Sequence, residues 1–382
     1  MINIYLLQMP PFIRRFLGLT RSLSTLATGI TFLALIPSSC NAFLAPGSPA
    51  RYHMKATSTQ AMKAGTSIVR RSQGLREIVD QYDVFLIDQW GVMHDGHAAY
   101  PGAVECMQSI LAAGKYVILL SNSSKRKAGS LARLTDMGFQ PEKYLDVITS
   151  GELTYLGLKP PRSPSYANIR GTNVLVFGSG DEDREYVESL GCRVSPVEAA
   201  DFLLARGPFT ILDSPDPATP PQTFGPGRIL HESAEFEAVA AKAIARGLPM
   251  IVSNPDIVRP GGDNDPMPGL LGRAYEQKGG QVMYVGKPYP LVYQECRKRL
   301  VGLKPAGGKA DWRICAIGDS MWNDVKGAVD EGWASVLVTD GIHAESLGVR
   351  QGSGEEVPGE SLDFFLEGFA YRPSHTIPCF RW

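Results

Sequence analysis

Four apolar runs in this sequence end on side chains that could do chemistry. The run YDVFLID ends on Asp88 and continues into QWGVMHDG, and KYVILLSN ends on Ser121 and Asn122. GKPYP places Lys287 at the start of a helical pattern, and RICAIGD ends on Asp319, with Asp324 five residues further on. In open parallel sheets ligands bind beyond the carboxyl ends of the strands, so a site is expected at these positions. Carboxylates, a hydroxyl, an amide and a lysine gathered from four strand ends suit a phosphate group and a Mg2+ ion. Mg2+ takes carboxylate, carbonyl and water oxygens, and a phosphoryl group needs placement and charge neutralisation more than covalent help.

The elements that must bring these residues together alternate along the chain. Short β-rich apolar runs fall at 82–88, 115–122, 146–150, 172–179, 200–205, 248–254, 281–286, 313–319 and 335–341. Helical patterns fall at 102–113, 124–137, 181–190, 232–245, 269–278, 289–301 and 323–331. This alternation predicts an α/β fold with a mostly parallel sheet, and the continuous apolar character of the runs suits strands buried on both faces. Proline-rich segments interrupt it twice: KPPRSPS (159–165) reads as a hinge between two domains and DSPDPATPPQTFGPG (213–227) as a surface loop within one. After Gly341 the sequence reads as a loop and an aromatic tail, 342–382, without clear periodicity.

The chain has 382 residues, of which 44% are hydrophobic and 20% charged, an ordinary globular composition. Its formal net charge of −1 conceals an asymmetry, because no acid precedes Glu77 while nine of the 38 Lys and Arg do. The body is therefore acidic, with 29 bases against 39 acids. An acidic body without a basic stripe argues against nucleic acid as a partner and leaves small metabolites as the better expectation. The leader pairs Arg14, Arg15 and Arg21 with an apolar run from Leu26 to Pro37, then small residues with Cys40 and Ala42 at alternate positions. That run is too short to span about 30 Å of hydrocarbon. Residues 1–42 read as a signal peptide and 43–76, basic and rich in Ser, Thr and Ala, as a transit-like segment. With Phe43 just past the cleavage site, the leader resembles the bipartite targeting leaders of algae with secondary plastids. The expectation is a plastid destination with no membrane span in the mature protein, the alternative being secretion or association with the ER. None of the six cysteines forms a CxxC pair, so free thiols in a reducing compartment are expected.

The body, from about 77 to 341, resembles the haloacid-dehalogenase-like (HAD) phosphatases of class IIA, the group of 4-nitrophenyl-phosphatase-like and pyridoxal-phosphatase-like enzymes. The resemblance rests on DQWGV, SNSS, GKP and GDSMWND, supported by PGA at 101–103, LARLTDMGF and SNPD at 253–256. It implies a Rossmann-like parallel-sheet core, 77–150 and 283–341, with an inserted α/β cap at 151–282. It also implies Asp88 as a nucleophile that forms an aspartyl-phosphate and Ser121 as a phosphoryl ligand. Lys287 is implied as the neutralising amine, and Asp319 and Asp324 join Asp88 and the Trp90 carbonyl as Mg2+ ligands. Gly91, Asn122 and Asn254 are expected at the substrate, a small phosphorylated metabolite, and a homodimer through the cap is what the family suggests.

One departure bears on turnover. The family's phosphatases carry a second Asp two residues after the nucleophile, as general acid and base, and here that residue is Trp90. Indole transfers no proton near pH 7, and such catalysis contributes about 10²- to 10⁴-fold. The motif DxWGVxHDG nevertheless resembles that of a class IIA subgroup. Three explanations are open: His94 or Asp95 replaces the acid, the substrate has a leaving group that needs no proton, or the protein binds a phosphorylated ligand with little turnover. Phosphoryl transfer to an acceptor other than water is a further alternative. For His94 a packing role against the cap is favoured. FGSGDED (177–183) reads as a strand-to-helix turn with Asp181 in the cap, and GGDNDPMPG (261–269) as a cap loop near the substrate.

Overall fold

A computed structural model describes residues 68–180, 182–225, 229–258, 266–305 and 311–382. The leader through residue 67, Asp181 and the 259–265 stretch lie outside the described residues. The strands are β1 Arg70–Arg71, β2 Val84–Asp88, β3 Tyr116–Ser121, β4 Asp146–Thr149, β5 Asn173–Gly178, β6 Arg193–Val194 and β7 Phe202–Ala205. They continue as β8 Thr210–Leu212, β9 Gln222–Thr223, β10 Pro249–Val252, β11 Gln281–Tyr284, β12 Ile314–Gly318, β13 Ala334–Val338 and β14 His375–Ile377. All nine expected strands are present, and the fold is α/β with a Rossmann-like parallel core.

The core sheet runs β1-β14-β13-β12-β2-β3-β4, and every pairing in it is parallel. Its strands are buried on both faces. Phe85, Ile87, Val117, Leu119, Cys315 and Ile317 pack one face against Cys106, Met107 and Ile110 of the helix Ala103–Ala112. Val84, Leu86, Ile118 and Leu120 pack the other against Val292, Tyr293 and Cys296 of the helix Pro290–Leu300. Strands of four to six residues have little stability alone; each buried apolar side chain contributes about 1.5–3 kcal/mol, so the two packed faces hold them.

The second sheet runs β11-β10-β7-β5-β8-β9, with β6 also pairing β5, and its β5·β8 and β8·β9 pairs are antiparallel. Val174, Val176, Phe202 and Leu204 of this sheet belong to the same apolar cluster as the second face of the core sheet. Its other face is covered by Phe236, Ala240, Leu271 and Tyr275 from the helices Ala234–Ala245 and Gly269–Gln277. The five described cysteines are free thiols, and no helix among the described residues is long and apolar enough to cross a membrane.

The short strands β6, β8 and β9 go beyond the expected runs, β9 lying within the 213–227 segment that reads as a surface loop, and three further features depart from the sequence expectation. The 146–150 run ends at Thr149, whose Oγ1 accepts the Glu152 N–H at 3.1 Å and caps an unforeseen helix, Ser150–Leu158. The 342–382 stretch, expected as a tail, carries the helices Ala344–Leu347 and Gly359–Glu367, and its β14 enters the core sheet between β13 and β1. Part of the expected transit-like segment also belongs to the fold, since β1 pairs β14 and Leu75 is fully buried. Two- and three-residue strands are too short to show alternation, which is why neither end was legible as part of the sheet.

Candidate active site

Strand β2 lies between β12 and β3, with the chain continuing to opposite sides of it, so the carboxyl end of β2 is a topological switch point of the sheet. Asp88 is the last residue of β2, Ser121 the last of β3, and Asp319 follows β12. Lys287 arrives from the second sheet, three residues after β11. Parallel pairing thus puts Asp88, Ser121 and Asp319 along one edge, and the segment after β11 brings Lys287 to it.

They meet around the Lys287 ammonium, which is 4% exposed and bonds Asp88 Oδ1 at 2.6 Å and Asp324 Oδ1 at 2.7 Å. Oxygens of Asp88, Asp319 and Asp324 all lie within 4.8 Å of one another. Three carboxylates therefore face one ammonium in a buried site, and their ionisation reflects it. Burial pushes Asp88 above the usual carboxylate range, against the pull of Lys287. Asp319 is pushed well above it, by burial and then by Asp88 and Asp324, and Asp324 is raised to about 6 by burial. The cluster lacks positive charge, and its hard oxygen donors are those a divalent cation takes.

Glycine backbone permits the close approach. Gly91 has φ +82°, and a Cβ there would fall 2.0 Å from Asp319 Oδ2. Its N–H donates to the His94 carbonyl at 3.0 Å, so its part is room for Asp319 and not the phosphate contact expected of it. Asn122, expected at the substrate, lines the cavity over this edge and also holds backbone beside it. Its Oδ1 accepts the Lys287 N–H at 2.7 Å, while its Nδ2 donates to the Lys287 carbonyl at 3.0 Å and to Asp256 Oδ1 at 2.8 Å. Asn122 thereby fixes the backbone that carries Lys287. Asn254 Oδ1 accepts the Asp256 N–H at 2.9 Å, which turns the SNPD segment. The Ser121 Oγ accepts the Ser123 N–H at 3.2 Å and lines the cavity described next.

A cavity of about 1130 Å³ opens over this edge, with Asp88, Ser121, Asp319 and Trp90 on the core side and Tyr186 and Phe209 on the side of the second sheet. Asp256, for which the SNPD motif leaves a turn role and a ligand contact equally open, also lines it. Its Oδ1 accepts amide N–H groups from both Asn122 and Asn323, each at 2.8 Å, and burial raises its carboxyl to about 6. Asp256 thus ties the segment after β10 to two core loops.

Trp90 is half-buried in the cavity wall, its ring beside Gly96 and edge-on to His94 at 6.2 Å between centroids. His94 is 4% exposed and its Nδ1 accepts the Gly96 N–H at 3.0 Å, so the ring is neutral. Burial holds it down to about 4. A neutral imidazole is a poor proton donor, so His94 is a structural residue of the 89–99 loop. Its charge forms more readily in the unfolded chain than in the folded one: His94 contributes stability in full above the unfolded value of about 6.5, and that contribution is lost as pH falls toward 4. His94→Asn keeps an acceptor for the Gly96 N–H and removes the titration. Denaturant melts at pH 7 and pH 5 are expected to show a smaller loss of stability in His94→Asn than in the native chain, and equal losses would refute the assignment.

Sequence comparison fits this geometry. The profile of the family described as haloacid dehalogenase-like hydrolase matches residues 85–193, and that of HAD-hydrolase-like proteins matches 284–357, so the two matches include all of Asp88, Ser121, Lys287, Asp319 and Asp324. The chain belongs to the haloacid dehalogenase-like hydrolases. This hydrolase is 26% identical to human chronophin over 274 residues, covering 71% of this chain and 86% of chronophin. It is 23% identical to dihydroxyacetone phosphatase from Corynebacterium glutamicum (strain R) over 297 residues, covering 77% and 87%. A haloacid dehalogenase-like hydrolase from Brucella suis superposes with a TM-score of 0.58 at 25% identity, over 81% of this chain and 99% of that one. The p-nitrophenyl phosphatase from Archaeoglobus fulgidus shares the fold with a TM-score of 0.52 at 22% identity, over 78% and 96%.

Proposed function

We propose that this hydrolase is a Mg2+-dependent phosphatase of a small phosphorylated metabolite, acting through an aspartyl-phosphate on Asp88. The observation that carries the reading is the Lys287 ammonium held between Asp88 and Asp324 beside Asp319. The donor set fits Mg2+: Asp88, Asp319 and Asp324, with the Trp90 main-chain carbonyl, would hold the ion. When bound it supplies positive charge that offsets the repulsion between a phosphate dianion and a carboxylate. Lys287 does the same from the protein side, and it opposes the burial that would neutralise Asp88 while orienting its carboxylate. The Asp88 carboxylate forms a P–O bond as the bond from phosphorus to the leaving oxygen breaks. Water then attacks phosphorus, the Asp88–phosphorus bond breaks, and inorganic phosphate leaves. Ser121 holds a phosphoryl oxygen through the transfer.

A second reading, a phosphometabolite-binding or regulatory protein with little turnover, is favoured by Trp90, since neither the indole nor the neutral His94 can protonate a departing alkoxide. The two readings part in a phosphate-release screen over phosphorylated metabolites with Mg2+. The first expects release that EDTA abolishes and added Mg2+ restores; the second expects ligand-induced thermal stabilisation without release. Release that persists unchanged in EDTA would refute the metal assignment.

A further inference from the structure

The loop that carries Asp319 and Asp324 is held by the segment that follows β13. Met321–Val325 forms a π-helical turn, and Ser320 caps it by accepting the Asn323 N–H at 3.2 Å. The first N–H groups of a helix have no partner inside it, and the Met321 N–H would be an orphan in a fully buried position. It donates to His343 Nε2 at 3.0 Å. One residue earlier, the Ile342 N–H donates to Asp319 Oδ2 at 2.8 Å. Two consecutive residues after β13 thus grip both the ligand carboxylate and the start of the turn that delivers Asp324.

His343 is itself fixed. It is 1% exposed, and its ring lies 4.7 Å from Trp322, 4.9 Å from Phe365 and 6.3 Å from Phe369. Phe369 also packs on Trp322 at 6.1 Å and on Phe365 at 5.3 Å. Phe365 and Leu366 of the helix Gly359–Glu367 share one apolar cluster with Met321 and Val325. Phe365 and Phe369 lie beyond the end of the family match at residue 357 and pack beneath the acidic loop.

We infer that His343 is a positioning residue for the Asp319 and Asp324 carboxylates, and that Phe365 and Phe369 of the C-terminal segment lock it in place. The inference rests on the reading of those carboxylates as Mg2+ ligands. His343 touches no ligand atom; it acts by holding the Met321 N–H, so that the turn cannot rotate Asp324 away from Lys287. Partners outside the ligand sphere typically cost about 10- to 100-fold in metal affinity or activity when lost.

The test is calorimetric titration of the full chain with Mg2+ alone, beside steady-state kinetics. His343→Leu is expected to weaken Mg2+ binding about 10- to 100-fold and to lower kcat at limiting Mg2+, with KM for the phosphate ester nearly unchanged at saturating Mg2+. His343→Gln, whose Oε1 can accept the same N–H, is expected to recover most of the affinity. A folded His343→Leu that binds Mg2+ as the native chain does would overturn the inference. If His343→Leu does not fold, Phe369→Leu serves instead: it removes the ring contacts and keeps apolar volume, weaker binding supports the lock, and unchanged binding overturns it. A native chain that takes up no Mg2+ sinks the metal reading and this inference together, whereas a native chain that binds it while the variants match it sinks this inference alone.

Discussion

Asp88→Asn abolishes phosphate release from p-nitrophenyl phosphate, a loss of at least about 10⁴-fold in kcat. The carboxamide is nearly the same size as the carboxylate but has neither its charge nor its nucleophilic oxygen, and the second carboxylate bonded to Lys287, Asp324, cannot reach phosphorus in its place without leaving that bond. The same substitution removes one of three crowded carboxylates, and burial already pushes Asp88 toward its neutral form. The metal-free variant is therefore expected to melt no lower than the native chain. The pair of results separates loss of chemistry from loss of fold. Phosphate release that survives in Asp88→Asn would refute the nucleophile assignment.

Trp90→Asp raises turnover of alkyl phosphates by about 10²- to 10⁴-fold, the usual contribution of a general acid, and changes that of p-nitrophenyl phosphate little. The difference follows from the leaving groups: an alkoxide must be protonated as it departs, whereas p-nitrophenolate is stable without a proton. The ratio of the two gains is the informative quantity, because a general improvement of the site would raise both. The substitution also removes the ring that packs beside Gly96 and His94, so the melting temperature is measured alongside. No gain on alkyl phosphates in a folded variant would show that Trp90 is not what limits proton transfer. A native chain inert on every phosphate ester, made active by this change, would establish the binding reading.

The nine main strands and the chemistry at their ends were legible because buried parallel strands need continuous apolar runs, and a run ending in Asp, Ser or Lys marks the only edge where such a side chain escapes the core. Asp88, Ser121, Lys287, Asp319 and Asp324 all stood out in this way. Gly91 stood beside them and was read as a substrate contact, since sequence shows proximity along the chain but not which hydrogen bonds are already taken; that Asn122, which lines the cavity, also holds the Lys287 backbone came only from the fold. Asp256, in SNPD, was as open to a turn role as to ligand contact, with nothing to say that two amides from other loops converge on it. The strands at the two ends of the body were too short for any period to appear.

The sequence by itself determined the inventory: the nine main strands, which acids and which lysine sit at their ends, and that an indole stands where a proton-transfer group is expected. These are properties of local pattern and side-chain type, fixed before the chain folds. Tertiary structure alone decided the assignments that depend on what surrounds a group. Burial and a bond to the Gly96 N–H removed His94 as an acid, and a bond to the Met321 N–H gave His343 a place behind Asp319 and Asp324. A histidine's chemistry is set by its partners and its access to water, and both come from residues that only the folded chain brings near.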